Sequence, residues 1–252
     1  EPYLARTMEG SDLLIFAIGA GAAGYIGGLT GLGAALIALA FWLHVMPPQV
    51  AVPMAALIGV TSHVITLGFI RHGVRMARLW PFIAGGLIGL PMGIAALSYL
   101  DVDVAKGGLG ILLILYCGYG LAVKTPPIIQ GGGRRADGLI GFLGGFFGGA
   151  ASMSGPIPTI WTGLRGWTKD EQRGVFQPFN LVVLGIALIG HSFYGRFDDL
   201  AGSSILIAMG CGVLGALLGI YTYRHTSDRN FRRLVLILLL IGGLSHLGSV
   251  LF

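Results

Sequence analysis

GGFFGGAASMSGPIP, residues 144–158, lies within an apolar sequence and yet reads as a break in a helix. Glycine and other small residues fill its first half. Ser152 and Ser154 supply hydroxyls. Pro156 and Pro158 suit the first turn of a new helix, where a missing N–H costs nothing. A helix that starts there directs its unpaired N–H groups and its positive dipole end toward the break, a setting that favours an anion. GGLTGLG, residues 27–33, has the character of a worn copy of the same break. Irregular backbone at membrane depth is tolerated only where protein buries it or a cavity hydrates it. Two such breaks, one in each half of a chain, point to a transporter's binding site.

Composition sets the class. The chain has 252 residues, of which 54% are hydrophobic and 11% charged. Soluble domains run near a quarter charged, so the sequence predicts an all-α integral membrane protein. Its apolar stretches are of helix length rather than the short alternating strands of a barrel. The 44 glycines fit close helix packing in a membrane. The net charge of +5 is accounted for by basic loops, so no nucleic-acid partner is expected. Cys117 and Cys211 lie in apolar stretches without metal-ligand spacing and read as packing residues. The N-terminal residues, EPYLARTMEGSD, show no basic region before an apolar core, so no signal peptide is expected from them.

Apolar segments run at 13–28, 33–46, 50–70, 80–99, 104–123, 138–150, 156–164, 174–194, 200–223 and 234–252. Six reach the ~20 residues that span a bilayer. The four segments flanking the breaks are shorter and read as half-helices or helical hairpins. The halves also repeat: Gly86, Gly89 and Gly93 recur as Gly212, Gly215 and Gly219. The expected organisation is therefore a tail at 1–12, a first repeat at 13–123, a linker at 124–137 and a second repeat at 138–252. Each repeat is a broken helical hairpin plus three transmembrane helices.

Charge places these elements. If each broken pair enters and returns, Arg71, Arg75, Arg78, Lys124, Arg134, Arg135, Arg165, Lys169, Arg173, Arg224, Arg229, Arg232 and Arg233 share one side. Only Arg6, Lys106 and Arg196 lie opposite. That asymmetry satisfies the positive-inside rule. Both termini are then expected outside a plasma or inner membrane, and an odd number of crossings inverts the second repeat relative to the first.

These residues carry a family resemblance. GGLTGLGAALIALAFWL, PPQVAVPMAALIGVTSHV and the basic RHGVRMARLW resemble the first repeat of the sulfite exporter TauE/SafE family. GGAASMSGPIPTIWTGLRGWTKDEQRGVFQPFNLV is similar to its second repeat, where a GxSGP-type turn precedes a short helix. Met54 stands where many members have a small hydroxyl residue, and Ala34 and Ala35 where glycines are usual, which implies a less polar first break. The resemblance implies transport of a small sulfur-containing or organic anion such as sulfite, thiosulfate or a sulfonate.

Candidate site residues follow from the breaks. Thr30, Gly31 and Gly33 at the first, and Ser152, Ser154 and Gly155 at the second, offer hydroxyls and backbone N–H groups to an oxyanion expected near the midplane between them. Each turn also has a purely structural reading, packing against a neighbouring helix. Gln177 and Asn180 lie one turn apart on a single helix face; their alternative is interhelical hydrogen bonding. Arg173 could attract the anion from the cytoplasmic edge, or be an ordinary positive-inside loop charge. The buried part of the site is expected to hold no Lys or Arg. His63, mid-span beside Thr61 and Ser62, is the candidate for proton coupling; a neutral histidine bonded to a facing helix is its alternative. No catalytic motif, metal cluster or cofactor motif is legible. Besides a secondary carrier with lipid and a small anion as partners, the sequence leaves open a membrane enzyme acting on a lipid or thiol, an anion channel, and homo-oligomerisation.

Overall fold

The computed structural model describes residues 10–42, 44–46, 48–96, 102–122, 128–151, 154–193 and 202–251. Among them are ten α-helices and one 3-10 turn, and no strand. In chain order the helices are α1 (Gly10–Thr30), α2 (Ala34–Trp42), α3 (Pro48–Ile70), α4 (Met76–Ala96), α5 (Val102–Ala122), α6 (Gly133–Ala151), α7 (Pro156–Leu164), α8 (Lys169–Phe193), α9 (Gly202–Arg224) and α10 (Asp228–Leu251). By length and composition, Ser11–Thr30, Met54–Gly73 and Ser204–Arg224 are apolar enough to cross a membrane. Other long helices begin with charged residues: α8 with KDEQR, α10 with DRNFRR. Past those charges both helices are free of Asp, Glu, Lys and Arg, over residues 174–193 in α8 and 234–251 in α10.

Each break is a hairpin. α2 folds back along α1: a Cβ on Gly27 would meet Ala34, one on Gly19 would meet Phe41 and Trp42, and Trp42 Nε1 donates to the Phe16 carbonyl at 3.0 Å. α7 folds back along α6 in the same way. Gly148 faces Ser154, Gly144 faces Pro158, and Trp161 Nε1 donates to Asp137 Oδ1 at 2.8 Å. The short helices, of 9 residues each, reach about 14 Å, roughly half a hydrocarbon core. The other arms are not short. α1 has 21 residues and α6 has 19. α6 is longer than its apolar segment because it starts at Gly133, inside the expected linker, and runs through the polar residues Arg134, Arg135 and Asp137.

The described chain forms two compact units. One holds residues 1–69 and 184–225, the other residues 70–183 and 226–252. These cut across the expected halves. In the first unit α9 packs on α1; in the second, α4 packs on α6 and α10 on α5. Each half thus lends its fourth helix to the hairpin of the other.

The two hairpin contacts match residue for residue. Gly85 and Gly89 of α4 lie over the Gly138 and Phe142 carbonyls, and Gly141 and Gly145 of α6 over the Phe82 and Gly86 carbonyls. In the first unit Gly215 and Gly219 of α9 lie over the Gly21 and Tyr25 carbonyls, and Gly24 and Gly28 of α1 over the Gly212 and Ala216 carbonyls. An added Cβ on Gly89 would sit 2.1 Å from the Phe142 oxygen, and on Gly219 2.2 Å from the Tyr25 oxygen. No side chain fits there, so glycine is what lets the backbones touch. Gly85 and Gly89 therefore correspond to Gly215 and Gly219. The match of Gly86, Gly89 and Gly93 to Gly212, Gly215 and Gly219 is one helical turn out of register. Gly85, Gly89 and Gly93 are spaced by four, as are Gly215 and Gly219, so the pattern resembles itself after a one-turn shift and spacing alone does not fix the register.

In the second unit the basic loops gather at one end. Arg78 Nη1 donates to Glu171 Oε1 at 2.8 Å, and His72 Nε2 pairs with Asp170 at 3.2 Å. Lys169 binds the Thr226 carbonyl through its ammonium group and Asp228 through its backbone N–H. The Ile129 N–H donates to the Leu164 carbonyl, and Arg165 to that of Gly131. Arg232 Nη2 donates to the Gly120 carbonyl at 3.0 Å. These contacts tie together four of the segments that charge alone assigns to one side. Arg6, Lys124 and Arg196 lie outside the described residues.

Candidate functional site

The second break is built by α6, α7 and the first half of α8. α8 starts with a reciprocal cap. Glu171 N–H donates to Thr168 Oγ1 at 3.3 Å, and Thr168 N–H donates to Glu171 Oε2 at 3.2 Å. The T-x-x-E spacing at Thr168 carries this signal in the sequence. The capped start is sealed by the 3-10 turn Arg71–Gly73. A Cβ on Gly174 would meet the Gly73 carbonyl, and one on Gly73 the Asp170 carbonyl. Beneath that seal, one face of α8 carries Arg173, Gln177 and Asn180.

All three are buried: Arg173 and Gln177 at 0% exposure and Asn180 at 3%. Arg173 Nε donates to Gln177 Oε1 at 3.0 Å. Ser154 Oγ, also buried, donates to Asn180 Oδ1 at 3.2 Å. Pro178 has no N–H for the Gly174 carbonyl, which leaves backbone polarity at the same level. The turn is held from the other side by Thr159, whose hydroxyl and N–H both donate to the Gly155 carbonyl. Because Pro156 and Pro158 lack N–H groups, the α7 start offers the N–H groups of Gly155 and Ile157. Ser152 lies outside the described residues.

Arg173 is buried rather than an exposed loop charge, so the buried polar face is not free of arginine. Arg173 lies one turn inside the helix, between Asp170 and Gly174, whose backbone the Arg71–Gly73 turn packs on. A buried guanidinium is costly unless matched by hydrogen bonds and compensating charge. On the same helix face as the Ser154–Asn180 pair, two turns away, it gives that face donors of the kind an oxyanion accepts from.

The first break differs in how it spends its polar groups. Gly31 and Gly33 have φ of 69° and 78°, so the turn needs glycine at both. Thr30 Oγ1 lies 2.8 Å from the Ile26 carbonyl and 2.7 Å from that of Leu32, and accepts the Leu32 N–H at 3.2 Å. Its hydroxyl is thus engaged within the turn. Met54 is fully buried among Trp42, Ala51, Ile58 and other apolar side chains, which makes this side less polar. Ser62 and His63 of α3 are buried at 1% and 4%. Ser62 was legible only as part of the mid-span Thr61-Ser62-His63 run.

The family model described as sulfite exporter TauE/SafE matches residues 15–246. The chain belongs to that family. TauE/SafE proteins are membrane transporters for sulfite and related sulfur anions rather than enzymes, and both breaks and all ten helices fall wholly or largely within the matched span. No curated protein and no solved structure matches the chain.

Proposed function

We propose that this TauE/SafE protein is a secondary carrier of a small sulfur-containing or organic anion of the sulfite, thiosulfate or sulfonate type. The observation that carries the reading is the buried face of α8, with Arg173 bonded to Gln177 and Asn180 bonded to Ser154 at the second break. An oxyanion there would accept from the Arg173 guanidinium, the Asn180 amide N–H and the Gly155 N–H, and from the Ser154 hydroxyl once it turns away from Asn180 Oδ1, with Gln177 holding the guanidinium in place. One guanidinium supplies attraction without a cage of cations, which suits release on the far side. At the first break the contribution of Thr30, Gly31 and Gly33 is through their backbone, with the Thr30 side chain shaping the turn. Ser152 is assigned to the second break from sequence. His63 is assigned proton linkage.

The same reading makes the two repeats inverted, puts the basic loops in the cytoplasm of a plasma or inner membrane and puts both termini outside. Cysteines introduced near Asp101 or Phe197 are then expected to label from outside in intact cells, and cysteines near Arg75 or Arg229 are not. Outside labelling at both basic sites would overturn the orientation.

The carrier itself is tested by counterflow in proteoliposomes. Purified protein should exchange labelled thiosulfate or sulfite saturably and without chemical change. Flux that never saturates would make it a channel, and a chemically altered product would make it an enzyme.

A further inference from the structure

We propose that Ser62, on α3, supplies the substrate-contacting hydroxyl of the first break and donates a hydrogen bond to a small oxoanion held at the start of α2. The proposal rests on the reading of the breaks as anion sites, and goes beyond it by naming a ligand outside both turns.

Three observations converge. First, the Ser62 hydroxyl is enclosed, with the residue 1% exposed, and it has no hydrogen-bond partner among the described residues. A serine inside a helix usually back-bonds to the carbonyl four residues earlier. Thr66, on the same helix, does so to the Ser62 carbonyl at 2.7 Å. Ser62 forgoes that bond. A buried hydroxyl left unpaired is costly, so its position calls for an acceptor that arrives from elsewhere.

Second, the hydroxyl lies against Gly27, at the point where the first residue of α2 also packs. A Cβ built on Gly27 would lie 2.7 Å from Ser62 Oγ and 3.1 Å from Ala34 Cβ. The hydroxyl and the first residue of α2 therefore flank one point. The first intrahelical bond of α2 runs from Ile37 N–H to the Gly33 carbonyl at 3.1 Å. The N–H groups of Ala34, Ala35 and Leu36 come before it and have no partner within the helix. Together with the dipole end they favour negative charge.

Third, the turn has no hydroxyl of its own to give. Thr30 Oγ1 is engaged with the Ile26 carbonyl and with both backbone groups of Leu32. Ser154 at the second break, by contrast, is a turn residue that bonds an amide on the following long helix. In the first break that following long helix carries the hydroxyl itself.

The test is titration of purified protein with sulfite, thiosulfate and methanesulfonate, following Kd and the ligand-free Tm. The wild type should bind at least one of the three. Ser62→Ala should raise its Kd about tenfold, the loss of one hydrogen bond to a charged group. Its ligand-free Tm should hold or rise, because an unpaired hydroxyl has been removed. Ser62→Thr should recover affinity to within about threefold. In a variant lacking Cys117 and Cys211, Ser62→Cys should react with an anionic methanethiosulfonate, and saturating substrate should block the reaction. Unchanged Kd with a lowered Tm in Ser62→Ala would make Ser62 a packing residue and overturn the proposal, leaving the second-break reading standing. A Ser62→Cys thiol that is unreactive, or that substrate does not protect, would overturn it likewise. A wild type that binds none of the three anions would remove the anion reading and this role together.

Discussion

The hairpins α1–α2 and α6–α7 have the same backbone plan and opposite polar economies. Both fold a nine-residue helix back along a long one. Both press a glycine face onto a helix from the other half of the sequence, with corresponding glycines over corresponding carbonyls. At the first turn the hydroxyl of Thr30 is consumed locally and two glycines with positive φ make the bend. At the second, Ser154 reaches out to Asn180, prolines open the short helix and a buried arginine lies on the same helix face as Asn180. Two hairpins of one plan thus share their packing while their turns differ in chemistry. The packing is alike because no side chain fits between the touching backbones.

The largest expected effect concerns the shared feature. Gly28→Val and Gly145→Val each push a side chain into a backbone carbonyl, 2.3 Å from Ala216 in the glycine-to-Cβ geometry of the equivalent Gly28 contact and 2.2 Å from Gly86 for Gly145. Each should cost more than the usual ~1–3 kcal/mol of overpacking, because backbone on both sides cannot yield. Yield of folded protein and Tm in detergent measure this. One variant tolerated and the other not would break the equivalence of the hairpins.

Next comes the difference between the turns. Arg173→Gln and Ser154→Ala should weaken anion binding by about 2–3 and 1–2 kcal/mol, in line with hydrogen bonds to a charged group. Thr30→Val should instead lower Tm, by the loss of roughly 1 kcal/mol of turn bonding, with little change in affinity. Isothermal titration and thermal melts separate the two. A Thr30→Val protein of normal Tm and weak binding would restore its hydroxyl to the ligand.

A smaller effect is expected at His63, buried on α3. If binding and protonation are linked there, affinity should tighten as pH falls from about 8 to 6, around the histidine reference value. His63→Gln should flatten that slope. The anion used must not titrate in this window. Equal slopes in the two proteins would leave His63 a packing residue.

The smallest concerns Glu171 at the basic end. Partial burial pushes its carboxyl up, but the Thr168 N–H and the guanidinium groups of Arg78 and Arg75 outweigh that and hold it below its ordinary value. A depressed carboxylate stabilises the folded state above its unfolded pKa of about 4.3 and loses that contribution as pH falls through the lower folded value. Tm should be level between pH 7 and about 5 and decline below about 4. Glu171→Gln should soften the decline slightly, since the pairs are partly exposed.

Much of the fold was legible because composition and spacing act locally. Few charges and helix-length apolar runs leave a bilayer as the only solvent that satisfies the chain. The breaks at residues 27–33 and 144–158 were visible because glycine, serine and proline change backbone preference wherever they stand. The shared end of the basic loops followed from charge, and the contacts of Arg78 with Glu171 and Lys169 with Thr226 join the same segments.

What tertiary structure alone decided depends on partners distant in the chain. The exchange of α4 and α9 between the halves is invisible in a repeat of four-residue glycine spacing, since a pattern says that a face packs but not on what. The register of that packing lies one turn from the one the glycine spacing suggests, for the same reason. Arg173 read as a loop charge until the Arg71–Gly73 turn, a hundred residues earlier, closed over it. Thr30 and Ser62 are both hydroxyl residues in apolar surroundings, and sequence does not tell them apart. Only the folded chain shows that one hydroxyl is bonded within its own turn and the other lies against Gly27 with no partner among the described residues, because a hydrogen bond is settled by where the acceptor lies in space.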